Sequence, residues 1–189
     1  MDTSRTTGMT RRGLLGAFAA TALAAAPTYS NAFGLLRGAG DIRRLKIYNG
    51  RTGESLDTIY WIEGSYIKDA LAEVNHVMRD WRNNQVKSID TRTLDIMAAA
   101  HNLMDTTESY LLISGYRSPQ TNAMLRSRSS GVAKNSRHLK GEAADLRMNS
   151  RSVAQMYRAA SACAAGGVGR YTSSNFVHMD CGPVRSWGS

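Results

Sequence analysis

Short strands covered on one face by helices are what this sequence predicts, and three observations predict it. A turn signal, Asn49-Gly50-Arg51-Thr52-Gly53, separates two short alternating stretches; later stretches place apolar residues at steps of three and four; and an almost wholly apolar run, Tyr110 to Ser114, stops at Gly115. The first reads as a hairpin, the second as helices, and the third as a strand buried on both faces. The 189 residues suffice for one domain with a proper core once a leader is set aside. A composition of 42% apolar and 21% charged residues excludes wholesale disorder.

The leader comes first in the chain. Arg11-Arg12 stands directly ahead of a moderately apolar stretch, Leu14 to Ala26, and Ser30 and Ala32 offer small residues for cleavage after Ala32. That is the twin-arginine export pattern, which carries an already folded protein to the periplasm. The apolar stretch is short of the roughly 20 residues that span a bilayer, so the mature chain is expected to have no membrane span. Residues 1–32 are thus assigned to the signal, 33–41 to a Gly-containing linker, and 42–189 to one domain without internal repeats.

In that domain, Arg43 to Tyr48 and Ser55 to Trp61 form the hairpin around Asn49-Gly50. From Ser65, a plausible cap, Ile67, Leu71, Val74, Met78 and Trp81 follow a helical spacing that ends at Arg82-Asn83-Asn84. A second helix starts at the Asp90 cap and carries Leu94, Met97 and Leu103. His76 and His101 fall on these helices, where satisfied or solvated histidines are commoner than ligands. After Gly115, Pro119 suits the first turn of a helix that runs to about Arg128, with Ser118 as its cap. The polar stretch Ser129 to Ser136 is a candidate rim to a cleft. Residues 142–148 look extended, Ser150 to Ala164 helical, and Gly166-Gly167 stops that helix before two last strands, Val168 to Tyr171 and Phe176 to Met179.

The chemistry concentrates in Ser136-Arg137-His138-Leu139-Lys140-Gly141-Glu142-Ala143-Ala144-Asp145. On one helix, His138 and Asp145 would stand about 10 Å apart along the axis at ~1.5 Å per residue. On one strand, their odd offset would turn them to opposite faces. A reversal at Lys140-Gly141 lets imidazole and carboxylate meet, because glycine accepts the angles of a tight turn. On a strand from Phe176 to Asp180, His178 and Asp180 share one face while Val177 and Met179 share the other. Two histidines and one aspartate, with a fourth position left to water, form a catalytic rather than a closed zinc arrangement.

The pattern Ser136-x-His138-x-x-Gly141-x-Ala143-x-Asp145 followed by His178 resembles the LAS zinc peptidases, named for lysostaphin, D-Ala-D-Ala metallopeptidases and the sonic hedgehog domain. More narrowly, Ile113-Ser114-Gly115-Tyr116-Arg117-Ser118, Gly131-Val132-Ala133-Lys134, Ala165-Gly166-Gly167-Val168-Gly169 and Asn175-Phe176-Val177-His178 resemble the YcbK/MepK group of murein endopeptidases. The likeness runs from about Leu45 to Trp187. It implies an α+β fold with a small antiparallel sheet and helices on one side, Zn2+ held by His138, Asp145 and His178, and hydrolysis of amide bonds in peptidoglycan stem peptides. Arg117 matches the family arginine that faces the scissile carbonyl or a substrate carboxylate, a role suited to a guanidinium that stays charged; its alternative is a structural ion pair. Ser136 is expected to order the ligand loop.

One departure matters. Many D-Ala-D-Ala metallopeptidases carry a glutamate base three residues before the last histidine, where this chain has Asn175, which accepts no proton at neutral pH. Asp180 is the candidate catalytic carboxylate, either as base or as a group that orients a ligand. Glu142 falls in a variable slot of the pattern and is assigned to the surface. The formal charge of +9 suits an anionic partner, and an exported protein meets the envelope rather than nucleic acid. Cys163 and Cys181 allow one disulfide or two buried thiols. Two alternatives to the peptidase stand beside it: a murein-binding protein that keeps the zinc without catalysis, and a transpeptidase with Cys181 as nucleophile.

Overall fold

In the computed structural model the described residues are 40–188, so the expected signal and residues 33–39 of the expected linker lie outside them. The hairpin forms as its alternation requires: β1 (Ile42–Asn49) pairs antiparallel with β2 (Glu54–Ile62). Buried Asn49 serves the turn twice, because its Oδ1 accepts the amide of Arg51 and its Nδ2 donates to the carbonyl of Val77. The turn residue thereby ties the hairpin to the first helix.

Ser65 does not cap that helix. Ser65–Tyr66 instead forms a two-residue strand, β3, on the edge of β2, and α1 (Lys68–Val77) starts after Ile67 without a side-chain cap. The reason is Tyr66, whose ring packs edge-on against Trp61 and whose hydroxyl donates to Asp95. α1 also ends earlier than its apolar spacing predicts, and the carbonyl of Met78 accepts the amide of Tyr116 instead of continuing a helical ladder. α2 (Thr91–Leu103) begins as expected, with the Asp90 side chain accepting the amide of Arg92, although Leu103 is exposed rather than packed.

β4 (Tyr110–Ser114) leads into α3 (Pro119–Arg128), which Ser118 caps by accepting the amide of Thr121. A 3-10 turn (Arg137–Lys140) precedes β5 (Ala143–Arg147), and α4 (Val153–Ala162) starts with a capping box between Ser152 and Gln155. β6 (Gly167–Tyr171) and β7 (Phe176–Asp180) follow. The chain then adds β8 (Arg185–Gly188), which the sequence pattern did not announce.

The eight strands form one sheet in the order β3-β2-β1-β4-β5-β7-β6-β8. The expected small antiparallel sheet is therefore corrected to a larger, mixed one within an α+β fold, since β1 runs parallel to β4 and β6 parallel to β8. Two helices separate β1 from β4, as a parallel crossover requires, and β7 intervenes between β6 and β8. Against one face of the sheet pack α1, α2 and α4, burying Leu45, Ile47, Tyr60, Leu146, Val177 and Met179. Cys163 and Cys181 are both buried and unbridged, so of the two cysteine readings the structure has the two buried thiols and not the disulfide. Among the described residues no helix is long and apolar enough to cross a membrane.

Candidate metal centre

The opposite face of β5 and β7 carries the polar residues. Register places Asp145 directly across from His178, and alternation puts Asp180 on the same face two residues on. His138 comes to them from the 3-10 turn. Gly141 closes that turn at φ 74°, and a Cβ there would meet the carbonyl of Ser88, so both the angle and the space demand glycine. Ser136 orders the turn from the other end by accepting the amide of His138.

One ligand atom each from His138, Asp145 and His178 lies within 4.8 Å of the others. His138 Nε2 stands 3.2 Å from Asp145 Oδ2, and His178 Nδ1 stands 2.8 Å from Asp145 Oδ1. The outer ring nitrogens are engaged elsewhere: His138 Nδ1 contacts the carbonyl of Gly115 at 2.7 Å and His178 Nε2 contacts Asp180 Oδ2 at 2.9 Å. A carbonyl and a carboxylate both need a donor, so the hydrogen-bond network assigns the N–H groups there and leaves His138 Nε2 and His178 Nδ1 as lone pairs. Two lone pairs and a carboxylate that converge in a buried place repel one another unless a cation stands between them. Protonation is one way to supply it: burial would lower the pKa of His178, yet Asp145 and Asp180 outweigh burial and raise it. Burial would likewise raise Asp145, but His138 and His178 hold it well below the usual carboxylate range. A divalent metal is the other way, and two imidazoles with one carboxylate, each held by an outer partner, form a donor set that fits one.

Asp180 does not lie free beside this centre. It is fully buried, accepts the amide of Gly182, and is bound by Arg185 and Arg137 as well as by His178. Burial alone would raise its pKa, but His178, then Arg185 and the amide of Gly182, hold it low. The expected base is thus a carboxylate with both oxygens engaged, which makes it a weak proton acceptor. From this position it can hold the orientation of the His178 ring.

A cleft of about 310 Å³ opens over the centre, with Gly131, Val132, Ala133, Asn135 and Ser136 along it as the polar stretch predicted. Arg117 lines it too, with one guanidinium nitrogen 3.6 Å from Asp145 Oδ2 and its Nε without a hydrogen-bond partner. The rest of this nearly buried guanidinium makes only long contacts, 3.4 Å each, to Asn122 Oδ1 and Ser114 Oγ. Asn175 lines a separate hollow, and its φ of 52° makes it a turn residue between β6 and β7, a conformation that asparagine tolerates. Cys181 sits beside Asp90 and Thr93, where burial raises its thiol pKa, on the far side from the cleft. His76 pairs with Glu54 and His101 with the carbonyl of Glu108, both outside the centre.

Sequence reasoning missed several cleft residues. Arg137 lies in a variable slot of the motif that assigns it no role, and Glu142, expected at the surface, is partly buried and bridges to Arg137 at 2.7 Å. Arg185 and Trp187 also reach the cleft, from the unanticipated β8. The alternation Gly167-x-Gly169 was the available signal, because glycine inside a strand often marks something packed close above it.

The family described as peptidoglycan L,D-endopeptidase MepK matches residues 37–187. The chain is similar to the peptidoglycan L,D-endopeptidase MepK of Escherichia coli, with 45% identity over 145 residues, 77% of this chain and 80% of that protein. A Shigella flexneri protein of the same description matches to the same extent. The probable peptidoglycan L,D-endopeptidase MepK of Haemophilus influenzae is 39% identical over 146 residues, 77% of this chain and 78% of its own length.

Proposed function

The chain belongs to the peptidoglycan L,D-endopeptidase MepK family, and from that membership we propose that it is a zinc-dependent endopeptidase that hydrolyses cross-link amides in peptidoglycan stem peptides. The observation that carries the metal is the convergence of His138 Nε2, Asp145 and His178 Nδ1, with the outer ring nitrogens committed elsewhere. Zinc held there would polarise the scissile carbonyl and acidify a water molecule. The sheet with α1, α2 and α4 on one face is read as the LAS-type fold.

The chain's own residues divide the remaining work. Asp180 accepts the Nε2–H of His178 and so fixes which nitrogen faces the centre; Arg137, Arg185 and the amide of Gly182 hold Asp180 in turn. Gly115 does the same for His138 through its carbonyl. Arg117 supplies a permanent positive charge, already desolvated, for the oxygen that becomes negative as the amide is attacked. Arg117, Arg137 and Arg185 together make the cleft attractive to stem-peptide carboxylates, which assists encounter.

Residues 1–32 serve in this proposal as a twin-arginine signal, 33–41 as a linker and 42–189 as the periplasmic domain. The deciding experiment is digestion of defined cross-linked muropeptides with zinc-loaded and chelator-treated protein, the products identified by mass. Release of monomers by the loaded protein alone is expected. Equal release by both samples removes the zinc; binding to sacculi without release by either makes the chain a murein-binding protein instead.

A further inference from the structure

One wall of the cleft is aromatic and is given no work by the metal centre. Tyr171 and Phe176 stack with centroids 4.4 Å apart, and Trp187 donates its indole N–H to the Tyr171 hydroxyl at 3.0 Å. The indole lies 5.3 Å from the His178 ring, so the wall begins beside a candidate ligand. Strand register explains how it gets there, because Gly169 pairs with His178 on one side and with Trp187 on the other. A Cβ on Gly169 would come within 2.6 Å of the indole. The bare strand is therefore the bed on which Trp187 lies.

Arg185 is seated in the same way over Gly167 and stacks 4.9 Å from the Trp187 ring while binding Asp180. The indole is thus fixed at its nitrogen by Tyr171 and on its ring by Arg185, yet it remains only partly buried and lines the cleft. An aromatic side chain needed only for packing has no use for such restraint at a cleft surface. Restraint before binding does serve recognition, since a pre-ordered ring loses little entropy when a ligand covers it. In the same cleft Arg117 and Arg137 offer charge, and the indole face offers apolar area.

We propose that Trp187, seated on Gly169 and held by Tyr171 and Arg185, is a substrate-positioning residue whose ring packs against the aliphatic part of a stem-peptide residue beside the scissile amide. This rests on the endopeptidase reading. It assigns to β8 the orientation of the substrate, while the histidine–aspartate centre performs the hydrolysis.

The test uses the full protein and a defined cross-linked muropeptide. In metal-depleted protein, calorimetry measures binding while tryptophan emission is followed; a saturable emission change that disappears in Trp187→Phe is expected. In steady-state cleavage by zinc-loaded protein, Trp187→Leu should raise KM about tenfold with kcat changed less than about threefold, and Trp187→Phe should recover part of the loss. Gly169→Ala, which pushes on the indole from beneath without removing it, should also raise KM, and thermal melts establish that each variant is folded. Calorimetric binding with unchanged emission, together with an unchanged KM in folded Trp187→Leu, overturns the proposal. So does a fall in kcat and zinc content at constant KM, since Trp187 then acts only by propping His178. If the unmodified protein neither binds nor cleaves any stem peptide, the endopeptidase reading fails first and this proposal falls with it.

Discussion

Asp95 and Asp145 are both buried carboxylates that meet arginine, and only the first is finished. Asp95, on α2, accepts the hydroxyls of Tyr60 and Tyr66 and pairs with Arg43 at 2.7 Å, so that three donors face one acceptor group. Asp145, on β5, faces two imidazole nitrogens whose protons point away, with Arg117 farther off at 3.6 Å. The first cluster closes the hairpin and β3 onto α2. The second opens onto a cleft. Burial and charge are alike in both, so neither marks a functional site by itself; what distinguishes them is whether donors and acceptors balance without anything added.

The comparison is tested most sharply by deleting each carboxylate. Asp145→Ala should abolish muropeptide cleavage and zinc retention, measured by mass analysis and metal content, while costing less stability than the matching change at Asp95. Asp95→Ala should cost about 3–5 kcal/mol in urea denaturation, because Arg43 and two tyrosine hydroxyls are left without their acceptor. Equal losses of stability in the two variants would break the distinction between them. Asp180→Asn addresses the support behind the open cluster and should lower zinc affinity or kcat by about 10–100-fold with the fold intact. An unchanged value for both would remove Asp180 from the orienting role. Tyr60→Phe removes one of three donors from the closed cluster and should cost about 1 kcal/mol, read from the denaturation midpoint, with cleavage unaffected.

Much of this was legible in the sequence wherever the signal was local. Asn49-Gly50, the Asp90 and Ser118 caps and Pro119 each act within a few residues, and each lies where those residues place it. The candidate ligands were legible for a related reason: one glycine turn and one period-two strand are enough to bring His138, Asp145 and His178 to a common face. Pairing between distant segments was not legible. Nothing near Ser65 announces that Tyr66 will reach Asp95, and nothing near Arg185 announces a strand parallel to β6. The cleft residues that were missed, Arg185 and Trp187, owe their positions to that pairing, and Arg137 owes its own to a reach across the turn to Asp180.

Gly141 has a consequence for the order of events in the life of the chain. The turn it closes is docked on the segment before α2: the amide of Asp90 donates to the Gly141 carbonyl, and the backbone of Ser88 leaves no room there for a side chain. The His138–Asp145 reversal therefore takes its shape only after two stretches remote in sequence have come together, and His178 joins it only once β7 has paired with β5. A nascent chain offers a metal isolated histidines and aspartates, each a weak ligand alone, whereas the folded chain presents all three at once. Under the proposed zinc reading, metal capture is then a late event, gated by completed tertiary structure rather than leading to it.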